Sequence, residues 1–188
     1  MKHGQLEAIV GCMSSGKSEE LIRRLRRAAI AKQKVIVFKP VRDSRTDAVT
    51  IASRDGHSHQ AISVDNPEDI GAWIEANGFV GVVGIDEAQF FAASIVEVAE
   101  RLVASGLRVI VVGLDTDFFG RPFGPVPQLM AVADSVTKLT AVCVCCGAPA
   151  TRSQLKRPPR SADGNIVVGG DELYEARCRD CFEVPAAG

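Results

Sequence analysis

Tyrosine and tryptophan each occur once in this chain, and aromatic residues make up only 5% of it. Stacking surfaces are therefore scarce, and a groove lined with aromatics along a nucleic-acid strand is not on offer. Charge of one sign is also missing. The formal net charge is -1 and the sequence pI is about 6.3, which implies no general affinity for nucleic acid or for a membrane surface. No apolar run approaches the roughly 20 residues that a membrane span needs. The first residues, Met1-Lys2-His3-Gly4, lack an apolar signal segment, so the expected location is the cytoplasm. Disulfides are not expected there, and the six cysteines call for another explanation, of which metal binding is the leading one.

Residues 11–18 read Gly11-Cys12-Met13-Ser14-Ser15-Gly16-Lys17-Ser18 and fit G-x-x-x-x-G-K-[ST], a loop that wraps nucleotide phosphates. An apolar strand pattern at 6–10 leads in, and a helical pattern follows from about Ser18. Gly11 and Gly16 allow the backbone to turn its N–H groups around an anion. The helix N-terminus adds partial positive charge. Lys17 can reach the β- and γ-phosphates, and the Ser18 hydroxyl can ligate Mg²⁺. Cys12 reads as a small filler within the loop.

Apolar runs at 34–38, 79–85 and 107–113 predict further buried strands, continuous rather than alternating because both faces are covered. Helical spacing at 19–32 puts Leu21, Ile22, Leu25, Ala28 and Ala29 on one face, with Arg23, Arg24, Arg26 and Arg27 on the solvated side. Asn66-Pro67 predicts a cap and first turn for a helix carrying Ile70, Trp73 and Ile74. A further helix carries Ile95, Val96, Ala99, Leu102 and Val103, and Gly106 is placed to end it. The alternation predicts a parallel sheet with helices on its faces and ligands at the carboxyl ends of the strands.

The run Val82-Val83-Gly84-Ile85 ends in Asp86-Glu87. Downstream of a phosphate loop, Asp86 is placed to hold Mg²⁺, and Glu87 to take a proton from an attacking hydroxyl or orient a water. Cys143-x-x-Cys146 and Cys178-x-x-Cys181 have the spacing of a tetrahedral zinc site, with 31 residues between the pairs. Cys145 competes as a ligand, and the two-residue spacer favours Cys143 with Cys146. The stretch from about 151 to 176, with Lys156-Arg157-Pro158-Pro159-Arg160 and Val167-Val168-Gly169-Gly170, reads as a flap tethered at both ends by the metal. Phe90, Phe91, Phe118, Phe119 and Phe123 fall just past two strand ends, where they predict an apolar wall for a flat ring. Three other readings stay open on the residues: a nucleic-acid-stimulated ATPase, a noncatalytic nucleotide sensor, and a kinase acting on another nucleoside or nucleotide.

The chain resembles the type II thymidine kinases over nearly its whole length. The resemblance rests on residues 11–18, on Asp86-Glu87-Ala88-Gln89-Phe90-Phe91, and on Gly113-Leu114-Asp115-Thr116-Asp117-Phe118 with Arg121-Pro122-Phe123. It continues in Lys138-Leu139-Thr140-Ala141-Val142-Cys143 and in Val168-Gly169-Gly170-Asp171 before Tyr174. The implied fold is α/β, a P-loop NTPase (RecA-like) parallel sheet flanked by helices over 1–141. A small C-terminal zinc-binding domain with a substrate-covering lasso loop would occupy 142–188. The implied reaction moves the γ-phosphoryl group of ATP to the 5′-hydroxyl of thymidine, with Mg²⁺ and a structural Zn²⁺. The resemblance makes Glu87 the base, with Lys17 acting on the phosphoryl group and Arg45 steadying the 5′-oxygen or the transferring phosphoryl, and puts Asp86 and Gln89 at the nucleotide and metal site. It puts Met13, Phe90, Leu114, Phe118 and Phe123 around the pyrimidine. Val167, Gly169 and Gly170 would supply main-chain contacts, and Tyr174 would close the pocket. A homotetramer, with feedback by dTTP, is also implied, and no nucleic-acid or membrane partner. Asn165 and Ile166 depart from the family's usual flap.

Overall fold

The computed structural model describes residues 4–41, 50–52, 58–78, 81–156, 169 and 172–184. The elements run β1 (Gln5–Gly11), α1 (Lys17–Ile30), β2 (Lys34–Pro40), β3 (Thr50–Ala52), β4 (Ser58–Gln60), β5 (Ile62–Val64) and α2 (Glu68–Asn77). Then come β6 (Gly81–Ile85), a 3₁₀ turn (Ala88–Phe90), α3 (Ile95–Ala104), β7 (Arg108–Gly113), α4 (Val126–Val132) and β8 (Ser135–Leu139). Four short strands finish the chain: β9 (Ala141–Val142), β10 (Pro149–Ala150), β11 (Arg152–Leu155) and β12 (Tyr174–Arg177).

Six strands form one parallel sheet in the order β5-β2-β6-β7-β1-β8. Its central strands are apolar throughout because each feeds two cores. Leu6, Ala8 and Val10 of β1 join Val83, Ile85, Val109 and Val111 in a cluster that α2, α3 and α4 cover. Ile9 joins Val37, Val82, Ile110 and Val112 under Leu21, Ile22 and Leu25 of α1. Trp73 packs edge-on against Phe38, with ring centroids 5.7 Å apart. Beyond α3, Gly106 takes a φ of 84° and donates its N–H to Val103.

Two local expectations need correction. Arg24 is not on a solvated face. It is held by Glu7, a buried carboxylate of β1, with Arg24 Nη1 at 2.6 Å from Glu7 Oε2. The partner sits on another element, so helical periodicity could not reveal it. Asn66 makes no side-chain cap to α2; instead the Asp69 carboxylate accepts the Asn66 N–H at 3.2 Å. Among the described residues, no helix is long and apolar enough to cross a membrane.

Strands β9 and β10 pair antiparallel, as do β11 and β12. The segment read as a flap therefore begins as a ladder. Lys156 N–H donates to Leu173 C=O at 2.9 Å, closing its neck with backbone as well as with cysteines.

Candidate active site

The phosphate loop leaves β1 at Gly11 and enters α1 at Lys17, with Gly16 as a left-handed cap at φ 82°. Gly11 is required by close approach. A Cβ there would stand 2.4 Å from the Leu139 carbonyl oxygen of β8. Ser14 also has positive φ, at 63°, so the loop folds back tightly on itself. Lys17 Nζ donates to the Cys12 carbonyl at 2.7 Å. Its enclosed surroundings lower the Lys17 pKa by desolvation, against the opposing pull of Glu87, Cys12, Asp86 and Asp115. An anion in the loop would add to that pull and hold the lysine charged.

Asp86 and Glu87 stand at the end of β6. Because β7 lies between β1 and β6, the two carboxylates are one strand removed from the loop strand. Asp86 is buried, its N–H bonds Phe38 C=O at 2.9 Å, and its Oδ1 accepts the Glu87 N–H at 2.9 Å. Glu87 adopts φ 51°, ψ 42°, a conformation uncommon for a residue with a Cβ, and so turns away from the strand direction. Gln89 is buried between two partners. Its Nε2 donates to the Glu87 carboxylate, and its Oε1 accepts the Leu114 N–H at 3.0 Å. One amide thus ties the acid after β6 to the backbone after β7.

Met13, Leu114, Phe118, Leu155 and Tyr174 form one apolar cluster, with Phe119, Phe123 and Leu173 packed against it. Phe90 meets Phe123 edge-on at 5.8 Å, and Phe118 lies 6.4 Å from Tyr174 between ring centroids. A cleft of about 630 Å³ opens beside Gln89, Phe90 and Phe123, faced by Val41 and Asp65. Phe91 divides its surface between this cleft and the main core. Leu155 and Leu173 were not singled out by sequence reasoning; they sit on the two sides of the flap's neck, where its hairpin meets the apolar cluster. Asp115, quoted only as part of the run 113–118, was given no role of its own. It is buried, and Lys138 Nζ lies 2.6 Å from its Oδ2. The signal available was an acid two residues beyond an apolar strand. Arg45, Val167 and Gly170 lie outside the described residues. Gly169 lies apart from the ladder, close to Leu173: a Cβ on it would be 2.3 Å from Leu173 Cδ1.

The sulfurs of Cys143, Cys146, Cys178 and Cys181 lie within 4.8 Å of one another, and those of Cys146 and Cys178 are 3.6 Å apart. A zinc tetrahedron with Zn–S bonds of about 2.3 Å has sulfurs roughly 3.8 Å apart, so the cluster fits the ion. Cys145 is exposed and stands outside the cluster. The Cys143 thiol is lowered to about 6, first by a backbone hydrogen bond from Cys178, while Cys181 is pushed up, first by its bond with Cys178. Such a cluster is ready to exchange protons for a cation.

The model of a family described as thymidine kinase matches residues 4–182. A thymidine kinase of Coprothermobacter proteolyticus is 53% identical over 186 residues, covering 97% of this chain and 92% of that protein. A thymidine kinase of Bdellovibrio bacteriovorus is 49% identical over 180 residues, covering 96% and 86%. Among solved structures, the genome-packaging NTPase B204 of Sulfolobus turreted icosahedral virus 2, in complex with ATP-gammaS, aligns with a TM-score of 0.47 at 18% identity, over 73% of this chain and 75% of that one. A family model over residues 4–182 and identity near one half over nearly the whole chain decide the question of descent: the chain belongs to the thymidine kinase family.

Proposed function

We propose that this protein is an ATP-dependent thymidine kinase that moves the γ-phosphoryl group of ATP to the 5′-hydroxyl of thymidine, giving dTMP and ADP. The observation that carries the reading is the hydrogen-bond chain from the Glu87 carboxylate through Gln89 to Leu114. It would tie the base, Glu87, to the backbone of Leu114, a member of the apolar cluster, through one side chain. Loop 11–18 would hold the phosphates of ATP, with Lys17 offsetting charge on the β- and γ-phosphates. The pyrimidine would lie among Met13, Phe90, Leu114, Phe118, Phe123 and Tyr174. The 5′-oxygen then attacks the γ-phosphorus. A new O–P bond forms, the bond to the bridging oxygen of ADP breaks, and Glu87 takes the hydroxyl proton.

Ser18 and Asp86 are oxygen donors of the kind Mg²⁺ accepts, and the ion would neutralise charge on the phosphates. Cys143, Cys146, Cys178 and Cys181 would hold Zn²⁺ and pin the lasso. We divide the chain into a nucleotide-binding domain at 1–141 and a zinc-bearing domain at 142–188. Arg45 would act on the transferring phosphoryl group. Val167, Gly169 and Gly170 would contribute main-chain contacts to the base. A homotetramer, inhibition by dTTP and a cytoplasmic location belong to the same proposal, the last supported by six cysteines without a disulfide.

The test is incubation with Mg-ATP and, separately, thymidine, deoxycytidine, dTMP or single-stranded DNA, with products identified by mass. Thymidine monophosphate is the expected product. ATP hydrolysis with no phosphorylated nucleoside would overturn the acceptor assignment.

A further inference from the structure

Two residues inside the phosphate loop are bonded to strands that lie between the cysteine pairs. The Met13 N–H donates to Ser153 Oγ at 3.0 Å, and Ser153 is 2% exposed. The Cys12 thiol donates to the Ala150 carbonyl at 3.3 Å, and both residues are fully buried. Cys12 shares an apolar cluster with Cys143, Cys178, Ala150 and Ala176. The strands that supply these acceptors are themselves fastened to the cysteines. Cys143 N–H donates to Ala148 C=O at 2.8 Å, just before β10, and Val144 N–H to Ala176 C=O at 3.1 Å. Strand β11, carrying Ser153, pairs with β12, which runs directly into Cys178.

A phosphate loop binds an anion well only if its backbone is already turned to receive it, because ordering the loop at the moment of binding costs affinity. Here the peptide joining Cys12 to Met13 is held from outside, by groups whose own positions depend on the cysteine cluster. We infer that the metal-bound cysteine module orders the phosphate loop through Ser153 and Cys12, so that zinc occupancy and nucleotide binding are coupled, with Ser153 the positioning residue. The coupling rests on loop 11–18 being the nucleotide site and not on thymidine being the acceptor. Because coupling is reciprocal, a nucleotide that prefers the ordered loop must also tighten the metal.

The experiment follows zinc release from the full, zinc-loaded chain into a zinc-selective chromogenic chelator, with and without saturating Mg-ATP and with no nucleoside present. At equilibrium with the chelator, ATP should raise the chain's affinity for zinc, and so reduce release, at least about fivefold, the lower end of ordinary coupling between sites. Ser153→Ala should keep one zinc per chain yet bind ATP about fivefold more weakly, the worth of one hydrogen bond. It should also lose part of the ATP effect on zinc release, and Ser153→Thr, which keeps the hydroxyl, should regain it. Zinc release in the unsubstituted protein that is indifferent to ATP would overturn the inference, as would Ser153→Ala binding ATP normally. Should Ser153→Ala fail to fold, the unsubstituted protein alone still decides. Absence of dTMP formation would count against the acceptor assignment and leave both zinc readouts standing.

Discussion

Replacing Glu7 by alanine should cost the folded chain about 3 kcal/mol, and the figure follows from what the carboxylate holds. Glu7 is 6% exposed, within the strand that leads to the phosphate loop. Its oxygens receive Arg24 Nη1 at 2.6 Å, Arg108 Nε at 2.5 Å and Arg108 Nη2 at 3.1 Å, which joins α1, β1 and β7. Removing one member of a buried pair costs about 3–5 kcal/mol, because the remaining charge is stranded. Both arginines keep an outlet. Arg24 retains Glu20 at 2.8 Å and Thr137 at 2.9 Å, and Arg108 has a side chain 31% exposed, so the lower end applies. Urea titration at one fixed protein concentration, followed through Trp73 fluorescence, should give an unchanged slope and a lower midpoint. The melting temperature should fall by about 6–12 °C, at roughly 2–4 °C per kcal/mol for a chain of this size. The pH dependence gives a second check. Burial pushes the Glu7 carboxyl up, but the bonds from Arg108 and Arg24 outweigh it and hold the group below its ordinary value of 4.5. A depressed folded pKa means the stabilisation is fully present above the unfolded value and is lost as pH falls through the folded one. The gap between the two proteins should therefore narrow in acid. A variant within 0.5 kcal/mol of the parent at pH 7, on the precision expected of exposed substitutions, would refute the reasoning.

Glu87→Gln should bind ATP as before and lose roughly 10²–10⁴ in kcat, the usual contribution of a general base; near-normal steady-state turnover would remove Glu87 from that role. Lys17→Ala should abolish detectable phosphoryl transfer while leaving the circular-dichroism spectrum intact, and an active variant would count against the phosphate-loop assignment. Cys178→Ser should lose zinc and weaken thymidine and ATP together, since β12, which it follows, packs Tyr174 in the apolar cluster and Ala176 beside Cys12 of the loop; metal analysis showing about one zinc per chain would reject the tetrahedral ligand set.

The central strands were legible because each is covered on both faces, which writes a continuous apolar run into the sequence. Strand β5 has only three residues, Ile62–Val64, too few for periodicity to show. Strand β8 is an exposed edge. Val136 and Lys138 face out between half-buried Thr137 and Leu139, and no apolar run marks it. Within the site, residue types announced the phosphate loop, the acids and the cysteines, since each chemistry admits few side chains. Gln89 shows what was not legible. Its place in an Asp-Glu-Ala-Gln box suggests a site, but only the fold shows that its amide spans from Glu87 to Leu114, the latter 25 residues beyond Gln89 in sequence. Leu155 and Leu173 were hidden for a similar reason. Both lie in a stretch whose prolines and glycines speak of a loop, whereas its two ends form a ladder that brings them to the apolar cluster.

The cysteine spacing and the phosphate loop look like separate signals about 125 residues apart along the chain, each explicable by its own chemistry. Their meeting place is set by β8. That strand runs beside β1 with Leu139 paired to Gly11, and two residues later the chain is already in β9 of the cysteine module. Leu139 closes on Gly11 so tightly that only glycine fits. Once the edge strand is in register, β9 can lie nowhere but beside the loop, and Cys12 and Met13 must find partners in β10 and β11. The first glycine of the loop is thus required by the neighbouring strand as much as by the phosphate. A residue that the motif explains as freedom to turn is explained by the fold as lack of room. Both explanations apply at Gly11, and the second is what seats the cysteine module against the phosphate loop.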